Sequence, residues 1–120
     1  MDLATLRNLL DEKMKSKSKH LTKEEISKLH HAYIDYHIAA KPDEIFVIPM
    51  EEMAELTQHL SKIIRGKETP ADLGFLEELA DVQICIDNLR IACNVDTETF
   101  DYIKDIKFER AAKKMKAGNA

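Results

Sequence analysis

Apolar residues recur every three or four positions along nearly all of this chain, a spacing that gathers them on one face of an α-helix and that a strand cannot use. Leu3, Leu6, Leu9 and Leu10 open the pattern, and Ile26, Leu29, Tyr33, Ile34 and Ile38 continue it. Met53, Leu56, Leu60, Ile63 and Ile64 form a third stripe, and Leu76, Leu79, Ile84, Ile86, Leu89 and Ile91 a fourth, expected to be buried. Phe100, Ile103, Ile106 and Phe108 carry a last segment into a basic tail. Only Ile45-Phe46-Val47-Ile48 reads as strand, and Pro49 follows it directly. The expected fold is all-α, a helical bundle of about four to five helices.

Local signals divide these stripes. The Lys/Ser-rich stretch from Lys13 to Lys19 reads as a solvated connection, since no aromatics interleave it as a nucleic-acid arm would need. Thr22-Lys23-Glu24-Glu25 is a capping box, and Pro42 follows the helix it begins. Pro49 suits a first helical turn, so a helix from Pro49 to Arg65 is expected, stopped by Gly66. The segment from Gly66 to Gly74 reads as a loop, Leu73 to Asn94 as a helix, and Asp96 or Thr97 as the cap of the last one. Residues 1–44 are thus an N-terminal helical segment and 45–120 the core, within one structural domain.

Charge and composition exclude some functions. The 120 residues carry 18 Lys and Arg against 22 Asp and Glu, a net −4, which argues against nucleic acid as a partner. No apolar run approaches the ~18 residues that span a bilayer, and the amino end lacks a signal-like stretch, so no membrane and a cytoplasmic location are expected. Cys85 and Cys93 are about 12 Å apart along one helix, too far for a disulfide within it, and read as small, reduced core residues. His30 and His37 share a helical face; with no acidic partner at ligand spacing they read as surface or hydrogen-bonded histidines, as does His31.

Chemistry enters with two acidic pairs, Glu52-x-x-Glu55 and Glu78-x-x-Asp81. Residues three apart share a helical face, and a short connection makes the two helices antiparallel neighbours, so four carboxylates can converge. Burial and mutual repulsion both oppose such a cluster unless a cation compensates it. Oxygen ligands without His or Cys favour Mg²⁺, with Mn²⁺ as substitute, over Zn²⁺. A bundle di-iron site would want Glu-x-x-His, which the chain lacks. Mg²⁺ shares its shell with phosphate oxygens, which suggests a phosphorylated substrate. The competing reading is a non-enzymatic helical interaction module whose acidic pairs form a solvated face.

The block Glu51-Glu52-Met53-Ala54-Glu55-Leu56, then Lys62-Ile63-Ile64-Arg65-Gly66-Lys67, Glu77-Glu78-Leu79-Ala80-Asp81-Val82 and Lys107-Phe108-Glu109-Arg110, resembles the MazG-like branch of the all-α nucleoside triphosphate pyrophosphohydrolases. The resemblance covers roughly the second half of the chain. It implies Mg²⁺-dependent hydrolysis of a (deoxy)nucleoside triphosphate to monophosphate and pyrophosphate, with Glu52, Glu55, Glu78 and Asp81 as metal ligands. Glu51 would be the catalytic base, and Lys107 and Arg110, with Lys62, Arg65 and Lys67 as a second set, would meet the phosphates. Gln58, His59, Gln83 and Asn88 are the polar groups available to select a base. Apolar stripes this wide, like the family's bundles, imply a homodimer or homotetramer.

Overall fold

The computed structural model describes residues 21–118 and, ahead of them, Ala4, Thr5, Asn8 and Glu12, all four helical. Leu3, Leu6, Leu9, Leu10 and the Lys13–Lys19 stretch lie outside the described residues. Four helices follow: α1 (Lys23–Ala40), α2 (Glu44–Ile64), α3 (Leu73–Ala92) and α4 (Thr97–Lys116), with no strand among the described residues.

Their ends are set by the residues the spacing singled out. Glu25 N–H donates to Thr22 Oγ1 and Thr22 N–H to Glu25 Oε1, both at 3.1 Å, closing the capping box of α1. Asp96 caps α4 by accepting from Thr99 N–H at 2.9 Å. Gly66 (φ 74°) and Asn94 (φ 52°) take the left-handed conformation that ends α2 and α3. Behind each, two amides fold back on the last turn: Lys67 to Lys62 O and Gly66 to Ile63 O, then Val95 to Arg90 O and Asn94 to Ile91 O.

The strand-like run is a correction. Ile45-Phe46-Val47-Ile48 is helical, and α2 begins at Glu44, five residues before the expected start at Pro49. A proline in the second turn forfeits one amide bond, to the carbonyl of Ile45. The start is nevertheless stitched from outside, since Glu44, Ile45 and Phe46 donate to Lys41, Pro42 and Asp43. Ile45 and Pro49 are both buried, so packing outweighs the lost bond.

α2 and α3 pack antiparallel: the His59 ring lies over Gly74, where an added Cβ would stand 3.2 Å from its Cε1, while Glu52 and Glu55 meet Glu78. α1 packs on both, through His30 to Asn88 of α3 and His37 to Glu44 of α2. α4 buries no residue; it is held at its base, where the Arg90 guanidinium sits 4.1 Å from the Phe100 ring centroid.

The core is small, and several positions expected inside are exposed. Ile34, Ile45, Pro49 and Cys85 are the buried apolar residues among those described. Leu60, Met53, Leu79 and Ile84 face solvent, Ile64 is 86% exposed, and Cys93 is an exposed thiol rather than a core residue. The radius of gyration is 17.7 Å, against roughly 14 Å for a compact domain of this length.

Candidate metal centre

α3 turns a polar stripe toward its neighbours. Glu78, Cys85 and Asn88 are its buried residues, and Asp81 falls on the same face, at helical steps of three and four. From α2, Glu52 and Glu55 reach the same place. One carboxylate oxygen from each of Glu52, Glu55 and Glu78 lies within 4.8 Å of the other two. Oxygens on opposite sides of one Mg²⁺ stand about 4 Å apart, so a slight contraction would bring all three onto one ion.

Electrostatics make the centre demanding. Glu52 Oε2 and Glu78 Oε1 are buried without a hydrogen-bond partner. Two ionised carboxylates offer no donor, so either a proton or a cation has to stand between them. The proton that Glu78 can share with the facing Glu52 carboxyl, then burial, then the charge of Glu52, with Glu55 acting likewise, pushes Glu78 from 4.5 up to about 8. Asp81 is raised by desolvation first, then by the charges of Glu52, Glu77 and Glu55. The negative field reaches further: burial and then Glu52, Asp81 and Glu78 raise the Cys85 thiol, and burial, Cys85, Glu44 and Glu52 raise the Tyr33 hydroxyl.

The expected ligands are thus brought together unequally. Glu52, Glu55 and Glu78 converge, while Asp81 stands at their edge, where it lines an open cleft with Glu52. Glu51 is exposed on α2 beside Glu52. Lys62 and Arg65 occupy the far end of α2, about 10 and 15 Å of helix rise beyond Glu55. There Lys62 Nζ lies 3.7 Å from Glu68, and Arg65 Nε donates to Ser61 O at 3.4 Å. Lys107 and Arg110 are exposed on α4, and no ion pair joins either to the cluster among the described residues.

The histidines have specific partners. His30 Nδ1–H donates to Asn88 Oδ1 at 2.6 Å, and His37 Nδ1 lies 3.1 Å from Glu44 Oε2, outside good hydrogen-bond alignment, between the Tyr33 and Tyr36 rings. The next helix supplies the acid that His37 lacked in its own segment. His59 Nδ1 lies 2.8 Å from Glu68 Oε2.

Reasoning from apolar stripes placed Cys85 in the core without linking it to the carboxylates, whereas Asn88, already among the polar groups available to select a base, does line the adjoining cleft. Their signal was present: positions 78, 81, 85 and 88 form one helical face that is polar or small throughout. Between α1 and this face opens a cleft of ≈ 900 Å³, walled by Tyr33, Tyr36, Ile48 and Ile84 and bounded by Glu52, Asp81 and Asn88. Comparison with protein-family models, with curated proteins and with solved structures yields no match to this chain.

Proposed function

We propose that the protein is a nucleoside triphosphate pyrophosphohydrolase whose centre is loaded with Mg²⁺, or Mn²⁺ in its place. One observation carries this reading: three carboxylates from two helices meet in a partly buried place with two orphaned oxygens. No basic side chain pairs with them among the described residues, and an all-oxygen donor set is that of a hard divalent cation. Structural use of such a cluster would be wasteful, because apolar side chains in the same place would be more stable.

Glu52, Glu55 and Glu78 would hold the ion, with Asp81 as a fourth ligand from the cleft side. When bound, the ion neutralises phosphate charge and lowers the pKa of a coordinated water. The chain's own residues supply the remainder. Glu51 takes the proton of the attacking water as the water adds to the α-phosphorus; the bond from that phosphorus to the α–β bridging oxygen then breaks, and pyrophosphate leaves. Lys62, Arg65, Lys107 and Arg110 are the cations available to the outer phosphates, and those on α4 need an assembly to bring them in.

Incubation with Mg²⁺ or Mn²⁺ and a panel of deoxynucleoside triphosphates should yield monophosphate and pyrophosphate in equal amounts. Orthophosphate as the sole phosphate product, or no product with either metal, overturns the reading; the second outcome favours the interaction module.

A homo-oligomer belongs to the same proposal. Phe108, Tyr102 and Met115 on α4, and Ile64 and Met50 on α2, are each more than two-thirds exposed or close to it, which a small soluble chain seldom sustains alone. Light scattering at micromolar concentration is expected to give a dimer or tetramer, and a mass of one chain would refute it.

A further inference from the structure

The cleft beside the acidic centre contains a hydrogen-bonded polar pair, His30 and Asn88. Asn88 is 6% exposed, and its Oδ1 accepts from His30 Nδ1–H at 2.6 Å. The amide is oriented with Nδ2 as its remaining donor, which has no partner among the described residues. The imidazole, carrying its proton on Nδ1, keeps Nε2 as an acceptor. Both residues line the cleft, whose other walls are the Tyr33 and Tyr36 rings and the aliphatic Ile48 and Ile84. A mostly apolar concavity with a few fixed polar groups is the form of a small-molecule site.

Position argues for the occupant. Glu52 and Asp81 lie at one side of the same cleft, and Asn88 is seven residues beyond Asp81 on α3, two turns or about 10 Å of helix. That separation is about the reach of a nucleoside from its 5′-phosphate to the far edge of its base. A planar heterocycle would lie against the α1 wall that carries Tyr33 and Tyr36, and its edge would meet the amide of Asn88 and the ring of His30.

We infer that this cleft binds the nucleoside part of the substrate, and that Asn88, oriented by His30, is the residue that selects among bases through their hydrogen-bonding edge. The inference rests on the pyrophosphohydrolase reading for its triphosphate, but nucleoside binding can be measured without turnover. A site built around a fixed donor rejects a ligand that cannot accept from it, because the buried amide is then left unpaired. The Asn88→Asp substitution replaces that donor with an acceptor at nearly unchanged volume, so it should change which bases are preferred rather than weaken all alike.

The test compares the parent with Asn88→Asp and Asn88→Leu. Binding of the four deoxynucleoside monophosphates is followed in chelator by amide chemical shifts, and kcat/KM for the four triphosphates is measured with Mg²⁺. The parent should bind at least one monophosphate with shifts around Tyr33, Ile84 and Asn88. Both variants should lose tenfold or more on the preferred base, and Asn88→Asp should reorder the series. Ile84→Trp, a change at a half-exposed wall of the cleft, should abolish monophosphate binding and leave the fold intact, which serves if the Asn88 variants do not fold. Unchanged base ratios in folded Asn88 variants, or monophosphate binding undiminished in Ile84→Trp, overturn the inference while pyrophosphate release by the parent still stands. A parent that binds monophosphates in the cleft but hydrolyses no triphosphate sinks the enzymatic reading and keeps the site.

Discussion

Replacing Glu78 with glutamine is expected to abolish turnover and, in the same protein, to make the metal-free fold harder to melt. Glu78 is 8% exposed, faces the Glu52 and Glu55 carboxyls, and is raised to about 8. At neutral to mildly alkaline pH the parent must either ionise it beside Glu52 and Glu55 or hold a proton there. Glutamine is neutral, similar in shape, and brings its own donor for Glu52. The gain in metal-free stability should show as a higher melting temperature near pH 8 and should shrink towards nothing near pH 5, where Glu78 is already protonated. On the proposed reading turnover should fall by roughly 10²–10³-fold or more, because a charge proposed to hold the metal would be gone. Melting curves with and without chelator, paired with the pyrophosphate assay, check both halves. A variant that melts below its metal-free parent at pH 8 would mean that Glu78 has a stabilising partner as a carboxylate.

The parent itself should lose stability as pH rises, and a divalent metal should restore it. In the unfolded chain Glu78 sheds its proton around its ordinary 4.5, whereas the folded chain keeps it until about 8. Over that interval the native state binds more protons than the unfolded state, so stability declines with increasing pH. It is fully present below the unfolded pKa and gone above the folded one. Asp81, also raised, acts in the same direction from a lower starting point. The Asp96 cap acts oppositely: its backbone and side-chain bonds from Thr99 lower its pKa, so its contribution is lost only as the solution becomes acid. In chelator, the melting temperature should drop between about pH 5 and pH 8. Millimolar Mg²⁺ or Mn²⁺ should raise it at pH 8 and do little at pH 5, since protons and metal compete for the same oxygens. A flat profile in chelator, or equal stabilisation by metal at both ends, would show that the carboxylates do not share a buried site.

These effects arise from a helix whose inner face is not apolar. Ile84 and Leu79 belong to the apolar stripe by residue type, yet both are exposed, Ile84 at the wall of the cleft, while Glu78, Cys85 and Asn88 are buried. Burying polar groups in place of available isoleucine and leucine is destabilising unless the place is used for something. The exposed apolar residues left behind on α3 and along α4 are the complement of that choice.

Much of the architecture was legible in the residues. Three-and-four spacing made the chain helical, Thr22 with Glu25 began α1, Gly66 stopped α2, and Asp96 began α4, because each of these acts through bonds within a few residues. The pairs Glu52/Glu55 and Glu78/Asp81 were likewise visible as faces of single helices. Only the tertiary structure decided that α2 runs through Pro49, since burial of Ile45 and Pro49 outweighs what local preference says of them. It also decided that three of the four carboxylates converge with Asp81 at the rim, that His30 finds Asn88 fifty-eight residues away, and that Lys107 and Arg110 stand apart on α4. Local spacing determines which side chains share a face; which face turns inward depends on the summed burial of distant segments, and no short stretch of chain contains that sum.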